Sequence, residues 1–431
     1  MAYTAPMPMT TGRAATGIGN VYFALVVLSV INLFNFMDRV LFSVLLEPIK
    51  QDLGLSDGQM GLLGGVAFGI FYGIVGLLMG RLADTRSRVG VLSVALGIWS
   101  TASALSGQAT SFLQMFGARA GVGVGVSACS PCAHSLIGDY FPPQRRALAV
   151  SVFTGIGTMG TMIGLVVGGL LMQHYGWRTA FLVFGLTGLA FAPIAWMLLR
   201  EPVRGSFESG LATALGWRAS IRMLLKRPTV RMLLLGMPMV MTAGGISTWI
   251  PAYLQRAHAA SSGDVGTYGG LSLGLGIVIG TLAGGLIVNV LRKRNALWEF
   301  WWPSLACALS IPLFAAFYLT SDTGTAYVLL FIAAFIAGSS FGPAMACMLA
   351  VSEPTIRGTM VALNVLSVAL VAYGVAPAFI GFTSDLLIGY GFGEANGESL
   401  RAALLAVLTL PALGAVFFGL ASRTAATDIV K

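Results

Sequence analysis

Charged side chains are scarce in this 431-residue sequence: Lys, Arg, Asp and Glu together make up 10% of it, against roughly 25% in soluble globular domains. The chain is also 56% hydrophobic, which leaves too little polar surface for an ordinary soluble fold. The net charge of +9 does not rescue a nucleic-acid reading, because that needs a basic face on a folded soluble domain and no segment is long enough to make one. Cysteine is nearly absent. Cys129, Cys132, Cys307 and Cys347 all lie in apolar runs, which argues against an extracellular disulfide framework. Cys129 and Cys132 form a C-x-x-C, yet no second ligand pair or soluble redox fold accompanies it, so they read as packing residues. There is no H-E-x-x-H, no nucleotide-binding P-loop and no pair of acids inside one apolar run. Neither an intramembrane enzyme nor an ATP-driven pump is therefore expected, and no metal or cofactor.

What the chain has is long apolar runs, each near the ~20 residues that cross a bilayer, separated by short charged clusters. Twelve helices are predicted, over about 21–46, 57–80, 91–109, 112–138, 147–173 and 178–199, then 230–255, 264–291, 298–319, 324–351, 357–388 and 400–421. Residues 1–20 carry one Arg, no acid and no apolar core, so they read as a tail, and the run from Val21 is too long for a cleavable signal. With the first residue inside, nineteen of the 25 Lys and Arg residues fall in inner segments and four (Lys50, Arg178, Arg256, Arg401) in outer ones. That asymmetry satisfies the positive-inside rule and places both termini in the cytoplasm. Arg39 and Arg119 remain for the membrane itself.

The chain also repeats. Gly61, Gly64, Gly65, Gly69 and Gly80 recur 205 residues later as Gly266, Gly269, Gly270, Gly274 and Gly285; in the same register Asp84 meets Asn289 and Arg88 meets Lys293. Pro143 and Arg146 recur as Pro354 and Arg357. Duplication predicts two pseudo-symmetric six-helix bundles, over 21–199 and 230–421, with a site at their interface near the midplane. A linker over 200–229 and a cytoplasmic tail over 422–431 complete the division. In the linker Trp217, Ile221, Leu224 and Leu225 share a helical face opposite Arg218, Arg222 and Lys226, the pattern of a helix lying on the inner leaflet.

The segment Gly80-Arg-Leu-Ala-Asp84-Thr-Arg86-Ser-Arg88 resembles the signature loop of the major facilitator superfamily, and Arg119-Ala-Gly-Val-Gly123-Val-Gly125 resembles a second pattern of that superfamily. Gly80 would permit close helix approach, Asp84 would cap or pair across to a neighbouring helix end, and Arg86 and Arg88 would anchor the inner surface. The resemblance implies that this loop holds an outward-open state through cytoplasmic contacts. Within the superfamily the first half is similar to the spinster-like branch, whose animal members move lysophospholipids and sphingosine phosphates. The residues that carry this are Asn35-Phe-Met-Asp38-Arg39, Leu46-Glu47-Pro48-Ile49-Lys50, Cys129-Ser130-Pro131, Ala133-His134-Ser135, Phe141-Pro142-Pro143 and Tyr175-Gly176-Trp177-Arg178. Beyond residue 200 the likeness is thin, with Trp249-Ile-Pro251 its main echo. The branch places a glutamate after the fourth-helix glycine run, where it is thought to couple protons with the Asp-Arg pair; this chain has Val126.

Asp38, Arg39 and Arg119 are the charges expected inside the membrane, where insertion scales put each at ~2.5–3.5 kcal/mol and a partner or a cavity is required. Neighbouring helix positions diverge by about 100°, so Asp38 and Arg39 cannot neutralise one another. Asn35 is placed to touch both, and Asn32, Asn35 and Arg39 make a polar stripe expected to line a central cavity with Arg119 opposite. Asp38 is the expected proton carrier. The structural alternative, in which Asp38, Arg39 and Arg119 only brace the bundle, stands beside it, and His134 reads as a packed polar residue. Gly160, Gly164 and Gly168, like Gly276, Gly280 and Gly284, read as close-packing faces that serve rocking. The expected function is proton-coupled secondary transport, by alternating access, of an anionic or zwitterionic amphiphile such as a lysolipid. An organic-acid symporter or multidrug-type efflux transporter is the alternative, and a transport-dead sensor the alternative of another class. Expected partners are the solute, protons and membrane lipids. A monomer in a bacterial inner membrane is expected.

Overall fold

The structure, a computed structural model, describes residues 18–207, 217–353 and 356–428. The tail over 1–17, residues 208–216 of the linker, Pro354 of the repeat and the last three residues lie outside the described set. Among the described residues the fold is all helical, with no strand. Ten helices are long and apolar enough to cross a membrane. The two missing from the expected twelve are accounted for by geometry. The fifth and sixth membrane helices run together as Pro143–Leu198, broken at Gly176, whose φ of 81° is a left-handed turn that suits glycine. The seventh is cut into Pro228–Val240, Thr242–Ile246 and Ile250–Ala257, pieces too short to qualify singly.

The other membrane helices are the first, Val21–Leu53; the second, Asp57–Thr85; the third, Arg88–Ser106; and the fourth, Phe112–Tyr140. The eighth is Ser262–Leu291, the ninth Trp298–Leu319, the tenth Thr323–Ala350, the eleventh Gly358–Gly389 and the twelfth Glu398–Ala425. The first is longer than expected because Pro48 is absorbed without ending it, so Glu47 and Lys50 ride on the helix itself. Three π-turns interrupt the second, eighth and eleventh helices, at Leu62–Val66, Val265–Gly269 and Ala369–Val375. The first two fall in the repeated glycine segments.

One core cluster is drawn entirely from residues 24–199 and another from residues 224–425, so each six-helix bundle has its own interior. A third cluster mixes both bundles at the face opposite the chain ends, called here the far face, and includes Leu45, Trp177, Trp249, Tyr253, Phe317 and Leu404. The short helix Trp217–Lys226 docks on the second bundle through buried Ser220 and Leu224, while Arg218, Arg222 and Lys226 face outward. Leu225 departs from the expected apolar face: it is 44% exposed, beside the basic residues, because the docking face is narrower than the apolar stripe.

The glycines divide by what they touch. A Cβ on Gly160 would meet Leu33 and Phe36, on Gly164 Val40 and Met37, and on Gly168 Leu41, all on the first helix of the same bundle. Gly276, Gly280 and Gly284 likewise press on Phe331, Phe335 and Ser339 of the tenth helix. These two sets bind each bundle together and are not the rocking surface expected of them. The surface between bundles belongs to the repeated glycines. Gly61, Gly65 and Gly69 of the second helix abut Pro377, Gly374 and Ala369 of the eleventh, and Gly266, Gly270 and Gly274 of the eighth abut Leu165 and Met162 of the fifth. Gly80 and Gly285 break the pattern, since neither meets a described atom within 4 Å of a built Cβ. Close approach at Gly80 is thus not used in this conformation: the bundles touch on the far-face side and part toward the face of the chain ends.

A Gly270-Leu-Ser-Leu-Gly274 string matches the spacing of a hydrolase nucleophile elbow but sits in mid-helix at the bundle contact, not at a strand-to-helix turn.

Candidate functional site

The polar residues of the first helix gather where the bundles begin to part. Asn32 donates from Nδ2 to the Phe153 carbonyl at 3.1 Å, and Asn35 donates from Nδ2 to Asn32 Oδ1 at 3.1 Å. Asn35 therefore serves Asn32 and not Asp38 or Arg39. Asp38, 5% exposed, accepts a 2.6 Å hydrogen bond from Ser103 Oγ of the third helix. Arg119, 2% exposed, makes no direct ion pair among the described residues. Its guanidinium stands 4.7 Å from the Phe42 ring centroid and 5.7 Å from that of Phe68. Its Nε has no hydrogen-bond partner among the described residues. Val126, in place of the branch's glutamate, is fully packed.

Arg39 differs from the other four, being half-buried while Asn32, Asn35, Asp38 and Arg119 are buried. It too is held by rings. Phe36, Phe68 and Tyr72 lie 5.6, 5.3 and 5.5 Å from its guanidinium carbon, and Tyr373 of the eleventh helix lies at 4.4 Å. The two arginines thus share Phe68. A cation over a ring face is attracted by ~0.5–2 kcal/mol, which partly offsets its desolvation without using its hydrogen-bond donors. The arrangement presents one accessible guanidinium, with a buried acid and a second guanidinium behind it.

His134 is exposed rather than packed, with Nδ1 2.8 Å from the Ser130 carbonyl oxygen. All four cysteines are buried and free, and no cluster of metal-ligating side chains occurs among the described residues.

The loop residues form a second centre. Arg88 is 1% exposed and clamped inside the first bundle by Asp139, by Glu201 at 2.7 Å, by Ser135 Oγ at 3.0 Å and by the Pro202 carbonyl at 3.1 Å. It is a buried tie, not the surface anchor expected. Partial burial pushes the Glu201 carboxyl up, but the Val89 N–H, Arg88 and Ser87 hydroxyl donors outweigh it and hold the group below its ordinary value. Arg204 caps the end of the second helix by donating to the carbonyls of Ala83, Asp84 and Arg86. Asp84 and Arg86 enter through these carbonyls, in contacts that stay within the first bundle. In the repeat, Asn289 and Lys293 are exposed.

Sequence reasoning missed the far-face lock. Arg256 of the seventh helix donates to both oxygens of Asp57 at 2.8 and 2.7 Å and to Glu47 at 2.7 Å. Lys50 bonds Asp57 at 2.6 Å and also Glu394, and Ser384 adds a third donor to Asp57 at 2.7 Å. Asp385 of the eleventh helix accepts from the backbone of Asp57 and Gly58 at 2.9 and 2.8 Å, so it caps the second helix across the bundle boundary. A polar cavity of about 720 Å³ opens above this network. The only local signal was that Lys50 and Arg256 are outer charges; their partners are scattered along the chain.

This architecture agrees with comparisons to known proteins. The Major Facilitator Superfamily sequence model matches residues 28–377. The chain is 32% identical to an MFS-type efflux pump of Mycolicibacterium smegmatis, over 94% of this chain and 93% of that one. It is 27% identical to the sphingosine-1-phosphate transporter SPNS2 of Danio rerio, over 91% and 82%. A solved structure described as a bacterial homologue of the human lysosomal transporter spinster, inward-facing and unoccupied, superposes with a TM-score of 0.87 at 27% identity, covering 96% of this chain and all of that one. With a family model over most of its length, a 32% identical relative and an all-helical two-bundle fold that superposes on a spinster homologue, this chain belongs to the major facilitator superfamily, as a spinster-like membrane transporter.

Proposed function

We propose that the protein is a proton-coupled secondary transporter that works by alternating access and carries an anionic or zwitterionic amphiphile such as a lysolipid. In this reading the bundles over 21–199 and 230–421 rock about the interface of the second and eleventh and of the fifth and eighth helices. The chain ends face the cytoplasm of a bacterial cell, and the described conformation is the inward-open one. Arg39 receives the anionic head, Arg119 holds positive potential behind it, and Asp38 carries the proton. Asn32 and Asn35 fix the first helix against the fifth. The observation that carries the reading is that Arg39 and Arg119 share the Phe68 ring while the buried Asp38, next to Arg39 in the chain, is held by Ser103. A single acid beside two cations favours anions over cations. The SPNS2 relative, named for a phosphate-bearing amphiphile, supports the same class.

In proteoliposomes, Asp38→Asn is expected to abolish uptake driven by an acid jump while leaving solute exchange partly intact. Normal acid-jump uptake by the D38N protein would refute the coupling assignment. A multidrug-type efflux transporter is the second reading, favoured by the name of the Mycolicibacterium relative. A thermal-shift screen against lysolipids, organic acids and cationic drugs separates the two. Stabilisation by anions that is lost in Arg39→Ala supports the first reading, and a preference for cations supports the second.

A further inference from the structure

Arg39 meets three rings of its own bundle and one from the other, and the one from the other bundle, Tyr373, is the nearest at 4.4 Å. Its position has a local cause. Tyr373 lies within the π-turn Ala369–Val375, where the eleventh helix departs from its regular register, a feature frequent at functional positions. The backbone beside it is pressed on the second helix: a Cβ on Gly69 would stand 2.7 Å from the Ala369 carbonyl oxygen and from the Gly374 nitrogen. Tyr72 is one turn beyond Gly69, and its ring lies 5.5 Å from the guanidinium carbon of Arg39. Rings above a guanidinium leave its in-plane N–H groups free, and no acceptor among the described residues takes those of Arg39.

We propose that Arg39, Tyr72 and Tyr373 form one receptor for a compact oxyanion, a phosphate or carboxylate, and that the receptor is complete only while the far face is closed. The planar N–H fork matches an oxyanion in bidentate fashion, the two phenols add donors, and the rings take the first methylenes of a tail. Because Tyr373 arrives with the second bundle, opening the far face would separate it from Arg39. Linkage then requires that an anion stabilise the closed far face to the extent that closure strengthens anion binding. Tyr373 is a binding residue here, and the inference rests on the anion reading above.

The test uses the full chain in nanodiscs with spin labels on cysteines introduced at Arg86 and Lys293, both exposed; the four native cysteines are buried. The probes are a lysophosphatidate, its uncharged monoacylglycerol counterpart and inorganic phosphate. Lysophosphatidate is expected to raise the population with widely separated labels, and monoacylglycerol to leave it unchanged. Tyr373→Leu should weaken lysophosphatidate binding about tenfold and abolish the population shift, while Tyr373→Phe, which keeps the ring and loses the donor, should fall between wild type and Tyr373→Leu in both. Tyr72→Leu, which alters a wall that moves with Arg39, should weaken binding yet keep the shift at saturation, so a general loss of folding is told apart. An undiminished shift in the Y373L protein would overturn the two-bundle receptor and leave the anion reading standing. A wild-type protein that neither binds nor responds to lysophosphatidate would overturn the anion reading itself. A full response to inorganic phosphate alone would remove the tail from the proposal.

Discussion

Phe68 is touched by both intramembrane arginines, which makes it a sensitive probe of how their charge is held. Its ring lies 5.3 Å from Arg39 and 5.7 Å from Arg119, and replacing it with an aliphatic side chain removes two cation–π contacts while keeping apolar volume. Each contact contributes ~0.5–2 kcal/mol, so Phe68→Leu is expected to raise the KM for an anionic solute by about tenfold or more. Transport kinetics in proteoliposomes would show it, and an unchanged KM would mean that the remaining rings, Phe42 for Arg119 and Phe36, Tyr72 and Tyr373 for Arg39, hold the arginines without it. The three charges were legible in the sequence because a formal charge inside an apolar run has no cheap explanation. Phe68, Ser103 and Tyr373 were not, since one ring or hydroxyl among many becomes distinctive only when another helix brings a charge to it. Asn35 shows the converse. Its spacing from Asp38 and Arg39 was correct for contact, but Asn32 offered an acceptor one turn away.

Among the helices, glycines of equal spacing do different work, which yields a paired prediction. At Gly69 even a methyl would collide with backbone of the eleventh helix, which cannot swing aside as a side chain can. Gly69→Ala is therefore expected to push the second and eleventh helices apart and lower the far-face-closed population, read by the label distances described above. Gly80→Ala meets no atom in this conformation and should leave that population intact or raise it, by hindering closure on the opposite face. Equal behaviour of the two variants would sink the division drawn between them. Periodicity located these glycines but did not separate the interface set from the set internal to each bundle, because the difference lies in which helix each one meets. The π-turns left no mark in composition. The Arg88 clamp bears on assay design. A carboxyl whose value is lowered contributes stability above its ordinary value, here 4.5 for Glu201, and loses it only as pH falls through the lower folded value. An acid jump from about pH 7.5 to 5.5 should thus leave the clamp intact, so any transport response belongs elsewhere; loss of folding over that interval in a thermal melt would contradict this.

For the whole molecule, the question is what holds one face shut, and the far-face lock answers it with charges taken out of water. Arg256 is paired with Asp57 and Glu47, while Lys50 is paired with Asp57 and Glu394, all but Glu394 being buried. Nothing local announced this set: Lys50 and Arg256 entered the topological count as outer charges, and Glu394 lies 344 residues from Lys50. Which face is closed is equally silent in sequence, because both conformations use the same helices. A buried ion network adds little net stability against an apolar substitute, but removing one partner strands the other at a cost of ~3–5 kcal/mol. Arg256→Met takes the cation from buried Glu47 and leaves Asp57 to Lys50 and Ser384, and opening the far face to water relieves both acids. The expected result is a shift of more than a hundredfold toward the far-face-open state, seen as lengthened distances between labels on cysteines introduced at Gln51 and Ala395. Asp57→Asn should shift the balance less, because Arg256 keeps Glu47 and Lys50 keeps Glu394. If the two variants opened the far face equally, or neither did, the lock would be a bystander, and the glycine contacts between the second and eleventh helices would alone set the resting conformation.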